Sequence, residues 1–294
     1  MKDSVNKLKT FFYAAIALTA ICALLFTISM FTAFDAYPGY FRSDAFIPVI
    51  QTPLAIVSVA LFALIGFVIP KGELSCSAPE NSLPTTFATL ICGFIILSGS
   101  IMTFYYHYRN AAGLTATSFK VFVAICICGV IASIFYFTDA LVAKDKALPV
   151  KVFTAIFAIA FLLLIIIFEH LDFLVGINTP RKTLLFLSFI STSMFLVQEL
   201  KFKVGIGQPR AYFFFGASAM LLLTTLSVSH IAAHYGNVLK DSSFLIYYLV
   251  GLALAFYCFS KLLAFVKYNE YLASLVSDTD NAAPEVTDGE GEEV

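Results

Sequence analysis

The sequence predicts an all-α membrane protein, built as a bundle of eight transmembrane helices, and three observations carry this prediction. Of the 294 residues, 60% are hydrophobic and 13% are charged, whereas about a quarter of the residues in a soluble domain are charged. The mean hydropathy of the chain is +0.90. Eight apolar runs follow one another, each close to the ~20 residues that cross the hydrocarbon core as a helix.

These eight runs are numbered as spans 1 to 8 in chain order, and the sixth is the shortest. Five prolines lie in or beside the connections, where they remove no helical hydrogen bond: Pro70, Pro84, Pro149, Pro180 and Pro209. The predicted runs lie at about 11–34, 47–69, 86–107, 117–139, 150–173, 182–199, 211–235 and 243–266.

Two short segments flank the membrane domain, which occupies residues 11–270. Residues 1–10 form a basic start. Residues 271–294 form an acidic tail with few apolar side chains, so the tail cannot bury enough surface to order itself and is expected to be disordered. The same acidity makes the tail a candidate docking segment for a cytosolic partner.

The distribution of Lys and Arg predicts the orientation. With the N-terminus inside, twelve of these residues fall on the cytoplasmic side and six on the outer side, which is the bias of the positive-inside rule. We therefore expect a multi-pass membrane protein with both termini in the cytoplasm. The sequence has no usable N-x-S/T glycosylation acceptor, which fits a bacterial cytoplasmic membrane. The net charge of −1 provides no basic surface for nucleic acid, so that class of protein is excluded.

Histidines and acids collect at the ends of the odd-numbered spans, which lie at the outer face in this orientation. Titratable side chains in apolar segments are energetically expensive, so they are candidates for function. The remaining charges, among them Asp139 and Glu199 near Lys144 and Lys201, are assigned to ordinary helix ends. The predicted ligand-binding residues are Asp35, His107, Glu169, Asp172, His230 and His234.

Two short patterns recur in the same order and indicate an internal repeat. DxxxG follows spans 1 and 5, at Asp35–Gly39 and Asp172–Gly176, and HYxN ends spans 3 and 7, at His107–Asn110 and His234–Asn237. Aligning the two histidines also pairs Ser100 with Ser227. The pattern predicts two parallel four-helix repeats at 11–142 and 148–270. The alternative is coincidence, with HYxN serving as a structural helix ending.

The first functional hypothesis is a site that binds or transports a small polar solute or ion. The outer cluster offers carboxylates and imidazoles, and it could also relay protons because histidine titrates near neutral pH. Parallel repeats that share a cavity suit a permease. This hypothesis requires no cofactor.

The second hypothesis is a zinc-dependent membrane hydrolase. His230 and His234 have the i, i+4 spacing of two zinc ligands on one helix, with Glu169, His107 or Asp172 as a third ligand or general base. An HxxxH pair on a late helix resembles the ceramidase and progestin-receptor-like membrane hydrolases. The chain lacks the Ser, Asp and His arrangement that those proteins carry on earlier helices.

The third hypothesis is a non-catalytic scaffold, sensor or accessory subunit. In this case the histidines, tyrosines and acids at the helix ends are interfacial anchors, and the lipid bilayer is the partner that they contact. We place solute binding or transport first among the three.

Overall fold

The computed structural model describes residues 2–35, 40–42, 45–76, 82–109, 116–142, 148–171, 179–239 and 245–281, with residues 107, 109, 116 and 277–281 described by their backbone alone. Within these described residues, eight helices are long and apolar enough to cross a membrane, which confirms the predicted eight-helix bundle. Span 2 consists of two consecutive helices. The spans are Lys2–Thr32, Phe46–Ala63 with Ile65–Val68, Leu83–Arg109, Ala116–Leu141, Leu148–Leu171, Pro180–Lys203, Pro209–Tyr235 and Leu245–Asn281.

Spans 1 and 8 extend beyond the apolar runs that predicted them. Span 1 begins at Lys2, and span 8 continues past residue 270 to Asn281. The two extensions pair with each other: Lys9 Nζ lies 2.5 Å from Glu270 Oε1, and Leu8 is fully buried. The start of span 1 and the end of span 8 therefore share one side of the bundle, named the terminal face. The opposite side is named the distal face.

The acidic tail falls mostly outside the described residues. Its first part, up to Asn281, continues the helix of span 8. Residues 282–294 are not among those that the structure describes, so their disorder stays a prediction.

Spans 3 to 8 form a ring in chain order, closed by contact between spans 3 and 8. Span 1 packs against spans 7 and 8 from outside the ring, and span 2 packs against spans 1 and 7. As a result, 72% of the residues in the most apolar segments of spans 7 and 8 are buried, whereas only 22% of those in the corresponding segment of span 2 are buried. The ring therefore contains the interior in which buried polar side chains meet.

Two serines that the predicted repeat aligns make matching contacts. Ser100 on span 3 packs against Gly129 on span 4, and Ser227 on span 7 packs against Gly251 on span 8. These contacts are consistent with a repeat. The helix neighbours differ, however, since span 1 packs against span 7 whereas span 5 packs mainly against spans 4 and 6. The repeat stays a prediction.

The loop after span 1 folds onto the distal end of the bundle. Strand β1 (Phe34–Asp35) pairs with strand β2 (Tyr40–Phe41) in antiparallel register. The Phe41 ring lies 5.5 Å from the Phe26 ring of span 1. This hairpin therefore covers the distal end of span 1 beside span 7.

Candidate functional site at the two ends of span 6

The structure describes four of the six predicted site residues with their side chains. Asp35 is exposed in strand β1. Glu169 and His230 are buried, and His234 is half-buried. The side chain of His107 and the whole of Asp172 lie outside the described residues. The chemistry of the distal end therefore depends on the two buried residues, Glu169 and His230.

Glu169 pairs with an arginine at the start of span 6. Arg181 Nη2 donates to Glu169 Oε2 across 2.7 Å, which joins the end of span 5 to the start of span 6. The Glu169 side chain has no exposed surface, and that of Arg181 is 13% exposed. Thr179 caps span 6 by accepting a hydrogen bond from the backbone N–H of Lys182, and Lys182 is itself fully buried. The distal end thus contains a buried acid–base pair.

His230 presents one ring nitrogen to the interior. Its Nδ1 lies 2.8 Å from the carbonyl oxygen of Leu226, and because a carbonyl can only accept, Nδ1 carries the hydrogen. The ring lies 4.6 Å from that of Tyr248 and 6.1 Å from that of Phe26. Nε2 is therefore a hydrogen-bond acceptor, and it is buried without a hydrogen-bond partner among the described residues.

The HYxN pattern at the end of span 7 is a helix termination. Asn237 has a positive φ of 59°, and its N–H donates to the carbonyl of His234 at 3.1 Å. The N–H of Val238 donates to the carbonyl of Ala233 at 2.9 Å. These two bonds and the left-handed residue form a Schellman motif, in which asparagine is one of the few residues that fits. Asn110, its counterpart at span 3, lies outside the described residues.

The described residues do not assemble a metal site. Within the described ranges, no three His, Cys, Asp or Glu side chains come together as ligands. Glu169, which was expected to complete the zinc site of His230 and His234, pairs with Arg181 instead. A third ligand would have to come from His107 or Asp172. The zinc-dependent hydrolase therefore stays a prediction.

A larger charged cluster lies at the terminal end of the ring. Lys261 Nζ on span 8 lies 2.8 Å from Asp139 Oδ2 on span 4 and 3.0 Å from Glu199 Oε1 on span 6. Lys203, one turn after Glu199, also pairs with Asp139. None of the four side chains is more than 6% exposed. Two acids and two bases thus form an electrically balanced network, named the terminal cluster.

Aromatic residues enclose the terminal cluster. Tyr212 on span 7 donates its hydroxyl to Glu199 Oε2 at 2.9 Å. Lys203 Nζ lies 4.6 Å from the centre of the Phe135 ring, and Lys261 Nζ lies 5.5 Å from that of Tyr257. The Tyr257 hydroxyl is buried without a hydrogen-bond partner in the described part of the chain. Cation–π contacts and the low local dielectric both strengthen the network.

Sequence reasoning missed this cluster because it paired each acid with a lysine nearby in the chain. The sequence places Asp139 near Lys144, which lies outside the described residues, and Glu199 near Lys201. The available signal was Lys261, a lone lysine inside an apolar run, which needs a carboxylate from another helix. The order of helices in the ring, which decides which carboxylate, is not encoded in any local pattern.

Span 6 connects the two charged ends through a buried polar stripe. The hydroxyls of Ser188 and Thr192 donate to carbonyls of the same helix, at Leu184 and Ser188. Span 6 is less hydrophobic than the other seven spans in the described part of the chain, which is why its apolar run is the shortest. The stripe recurs at helical spacing and consists of Arg181, Ser188, Thr192, Glu199 and Lys203.

The stripe extends across the membrane. Arg181 and Glu199 are 18 residues apart on one helix, which corresponds to ~27 Å along the helix axis. This is close to the ~30 Å thickness of the hydrocarbon core. One charged group therefore lies near each membrane boundary, with polar side chains between them.

Comparison of the chain with protein families, curated proteins and solved structures found no match. The fold and the site define a multi-pass membrane protein whose interior carries a charged group at each end of one polar helix face.

Proposed function

We propose that this protein is a carrier that moves a small polar solute across the membrane, in a conformation closed at both ends. The observation that carries the proposal is the buried polar face of span 6, with an ion pair at its distal end and the terminal cluster at the other. In this proposal the solute passes along span 6 inside the ring. Each charged group acts as a gate that opens when its ion pairs separate.

The energetic argument is that buried charges serve little purpose in a purely structural bundle. Moving a charged side chain from water into the protein interior costs several kcal/mol per ion. Apolar residues pack as well or better, since replacing a buried ion pair by apolar groups is often neutral or stabilising. Ion pairs are useful where a contact must hold one conformation and release in another, because entering water or solute replaces their partners.

The proposal keeps part of the predicted outer site and adds a second group to it. Glu169 and His230 belong to the distal end, which the Lys and Arg distribution assigns to the outside. The terminal cluster was not predicted, and it faces the cytoplasm in this orientation. A carrier needs a gate at each end, because with a single gate its cavity would stay open to the other side of the membrane.

A static scaffold is the second candidate, and the packing of the terminal cluster favours it. The Tyr212 ring lies 4.7 Å from Phe202, 4.9 Å from Phe195 and 5.2 Å from Phe265. Such dense aromatic packing resists rearrangement. In a scaffold the terminal cluster would fix the register of the helices and never open.

The native cysteines provide a test that separates a carrier from a scaffold. Cys126 on span 4 and Cys258 on span 8 are buried, and Cys258 lies one turn from Lys261. Cys126 lies in the distal half of span 4, ten residues after the first residue of that helix. A water-soluble thiol reagent is applied to protein in nanodiscs, and labelling is mapped by mass spectrometry. Cys22 on span 1, outside the ring, reports on general unfolding.

A carrier responds reciprocally when one gate is weakened. Glu169→Gln should open the distal end, raise labelling of Cys126 and lower that of Cys258. Lys261→Met should do the opposite, and Cys22 should not change in either variant. If the two cysteines never change in opposite directions, the carrier proposal is wrong and the scaffold is supported.

A further inference from the structure

Two buried polar atoms of span 7 lie on the same helix face near the distal ion pair. Ser227 Oγ and His230 Nε2 belong to side chains that are at most 1% exposed, and both lack hydrogen-bond partners within the described residues. They are three residues apart, so they lie on one side of the helix. A donor and an acceptor buried together without partners are costly unless something else satisfies them.

The distal ion pair lies at the same end of the ring as these atoms. Arg181 is the second residue of span 6, His230 lies five residues before the end of span 7, and spans 6 and 7 pack against each other in antiparallel order. Ser227 packs directly against Gly251 of span 8, where a Cβ would lie 2.5 Å from its oxygen. The absence of a side chain at residue 251 leaves the Ser227 hydroxyl against backbone. Spans 5, 6 and 7 thus bring the Glu169 carboxylate, the Arg181 guanidinium, the Ser227 hydroxyl and the His230 imidazole to the distal end.

We propose that these four side chains at the distal end bind a small zwitterion, which is a solute with one carboxylate and one ammonium group, such as an amino acid. The inference rests on the proposed carrier function and names its substrate class. The solute carboxylate takes the place of Glu169 on the Arg181 guanidinium, whose fork matches a carboxylate through two parallel hydrogen bonds. The solute ammonium takes the place of Arg181 on Glu169.

Charge balance selects a zwitterion over a simple acid or amine. Breaking a buried ion pair leaves each partner uncompensated, and an ion with a single charge can satisfy only one of them. A zwitterion satisfies both and adds no net charge to the interior. Its ammonium has three N–H donors, so it can also donate to His230 Nε2, and its carboxylate can accept from the Ser227 hydroxyl.

The terminal cluster also contains equal numbers of acidic and basic side chains. Asp139 and Glu199 face Lys203 and Lys261, so two acids oppose two bases. A zwitterion that reaches this end can again exchange with an internal pair without leaving an unpaired charge. The same solute chemistry therefore suits both gates.

Ligand-induced thermal stabilisation of the full-length protein in nanodiscs tests the inference. The probes are a panel of α- and ω-amino acids, each compared with its carboxylate-only and amine-only analogue of the same carbon skeleton. A ligand that binds the folded state stabilises it by RT ln(1 + L/Kd), where L is the free ligand concentration, so the unfolding temperature rises with the ligand concentration. At least one amino acid should stabilise the wild-type protein, and its two analogues should not.

Substitutions of the ion pair should change the selectivity in a defined way. Glu169→Gln should favour the carboxylate-only analogue, and Arg181→Gln the amine-only analogue. His230→Gln and Ser227→Ala should each weaken zwitterion binding by roughly tenfold through one lost hydrogen bond. Glu270→Gln, the same change at the exposed pair with Lys9, should leave binding as in the wild type.

The inference is wrong if no zwitterion stabilises the wild-type protein, or if the single-charge analogues stabilise it equally. It is also wrong if zwitterion binding survives Glu169→Gln and Arg181→Gln unchanged. These results do not bear on the gates themselves, because reciprocal labelling of Cys126 and Cys258 reports gating without any solute. Reciprocal labelling without zwitterion binding would retain the carrier and reject only this substrate class.

Discussion

Lys261 and Asp139 form an ion pair of 2.8 Å between spans 8 and 4, both of which pack against span 3. The same Lys261 ammonium lies 3.0 Å from Glu199 on span 6. One side chain therefore ties three helices of the ring together at the terminal face. Removing the Lys261 ammonium would leave the buried carboxylates of Asp139 and Glu199 to share Lys203 as their cation.

The first prediction concerns this network. Lys261→Met should lower the free energy of unfolding by about 3–5 kcal/mol, because it leaves buried charge uncompensated. Lys9→Met, which breaks the exposed pair with Glu270, should change stability little, since water solvates both groups. The measurement is thermal and denaturant unfolding of the purified variants in the same detergent.

A charge-balanced double variant sharpens this prediction. Asp139→Leu combined with Lys203→Met removes one acid and one base and leaves Lys261 paired with Glu199. It should cost less stability than Lys261→Met alone. If Lys261→Met proved as mild as Lys9→Met, the terminal cluster would not be holding the helices together.

The second prediction is a double-mutant cycle at the contact between spans 7 and 8. Gly251→Ala should destabilise the protein, because the new Cβ would lie 2.5 Å from Ser227 Oγ. Adding Ser227→Ala should restore most of the loss, since the next atoms, Leu223 Cδ2 and Ser227 Cβ, lie at 3.7 and 3.9 Å. The coupling energy is read from the unfolding of the two single variants and the double variant.

Gly129 provides the matched comparison for this cycle. A Cβ there meets Ser100 Oγ, but it also lies 2.9 Å from Phe161 Cε2 and 3.1 Å from Ser100 Cβ. Ser100→Ala should therefore fail to rescue Gly129→Ala. Equal rescue at both glycines would show that the hydroxyls are not the limiting contacts.

The third prediction concerns the end of span 7. Asn237 adopts a left-handed backbone conformation, so Asn237→Gly should preserve stability and Asn237→Val should lower it by roughly 1–2 kcal/mol. Asn6→Val, at an exposed helical position of span 1, is the control and should have a smaller effect. Unfolding temperatures of the three variants check the prediction. A harmless Asn237→Val would argue that the HYxN pattern has a role other than ending the helix.

The fourth prediction concerns orientation. Reporters fused at the N-terminus and at the C-terminus should both be active in the cytoplasm, because the pair of Lys9 and Glu270 places both ends of the bundle on one face and the lysine bias places that face inside. A reporter inserted at residues 36–39 should be outside. Two external termini would reverse the orientation, and termini on opposite sides would contradict eight spans.

The eight spans could be predicted because a membrane helix is recognised by composition alone. The ends of spans 1, 6 and 8 could not, because charged residues lower local hydropathy even when a partner neutralises them. Arg181 was excluded from the apolar run of span 6, yet its pairing with Glu169 buries it. The pairing residues come from different helices, and hydropathy carries no information about helix neighbours.

Only part of the candidate site could be predicted, again because the sequence does not show which helices are neighbours. Glu169 and His230 stand out in the sequence because each is a polar residue in an apolar run. Arg181 and Lys203 do not stand out, since basic residues at helix ends are ordinary. Their functional interest depends on which acid each one meets, at Glu169 and Asp139, and this is a property of the ring.

The length of span 8 has a mechanical consequence. The helix Leu245–Asn281 has 37 residues, about 55 Å, and the 20 residues after Lys261 project about 30 Å beyond the terminal cluster. A tilt of span 8 with the terminal cluster as pivot would therefore move this segment together with the start of span 1, which pairs with it through Lys9 and Glu270. A tilt of about 10° at that pivot would carry Asn281 about 5 Å sideways. A small rearrangement at the terminal cluster would thus become a larger displacement at the end of span 8, where a partner or a fluorescent label can detect it.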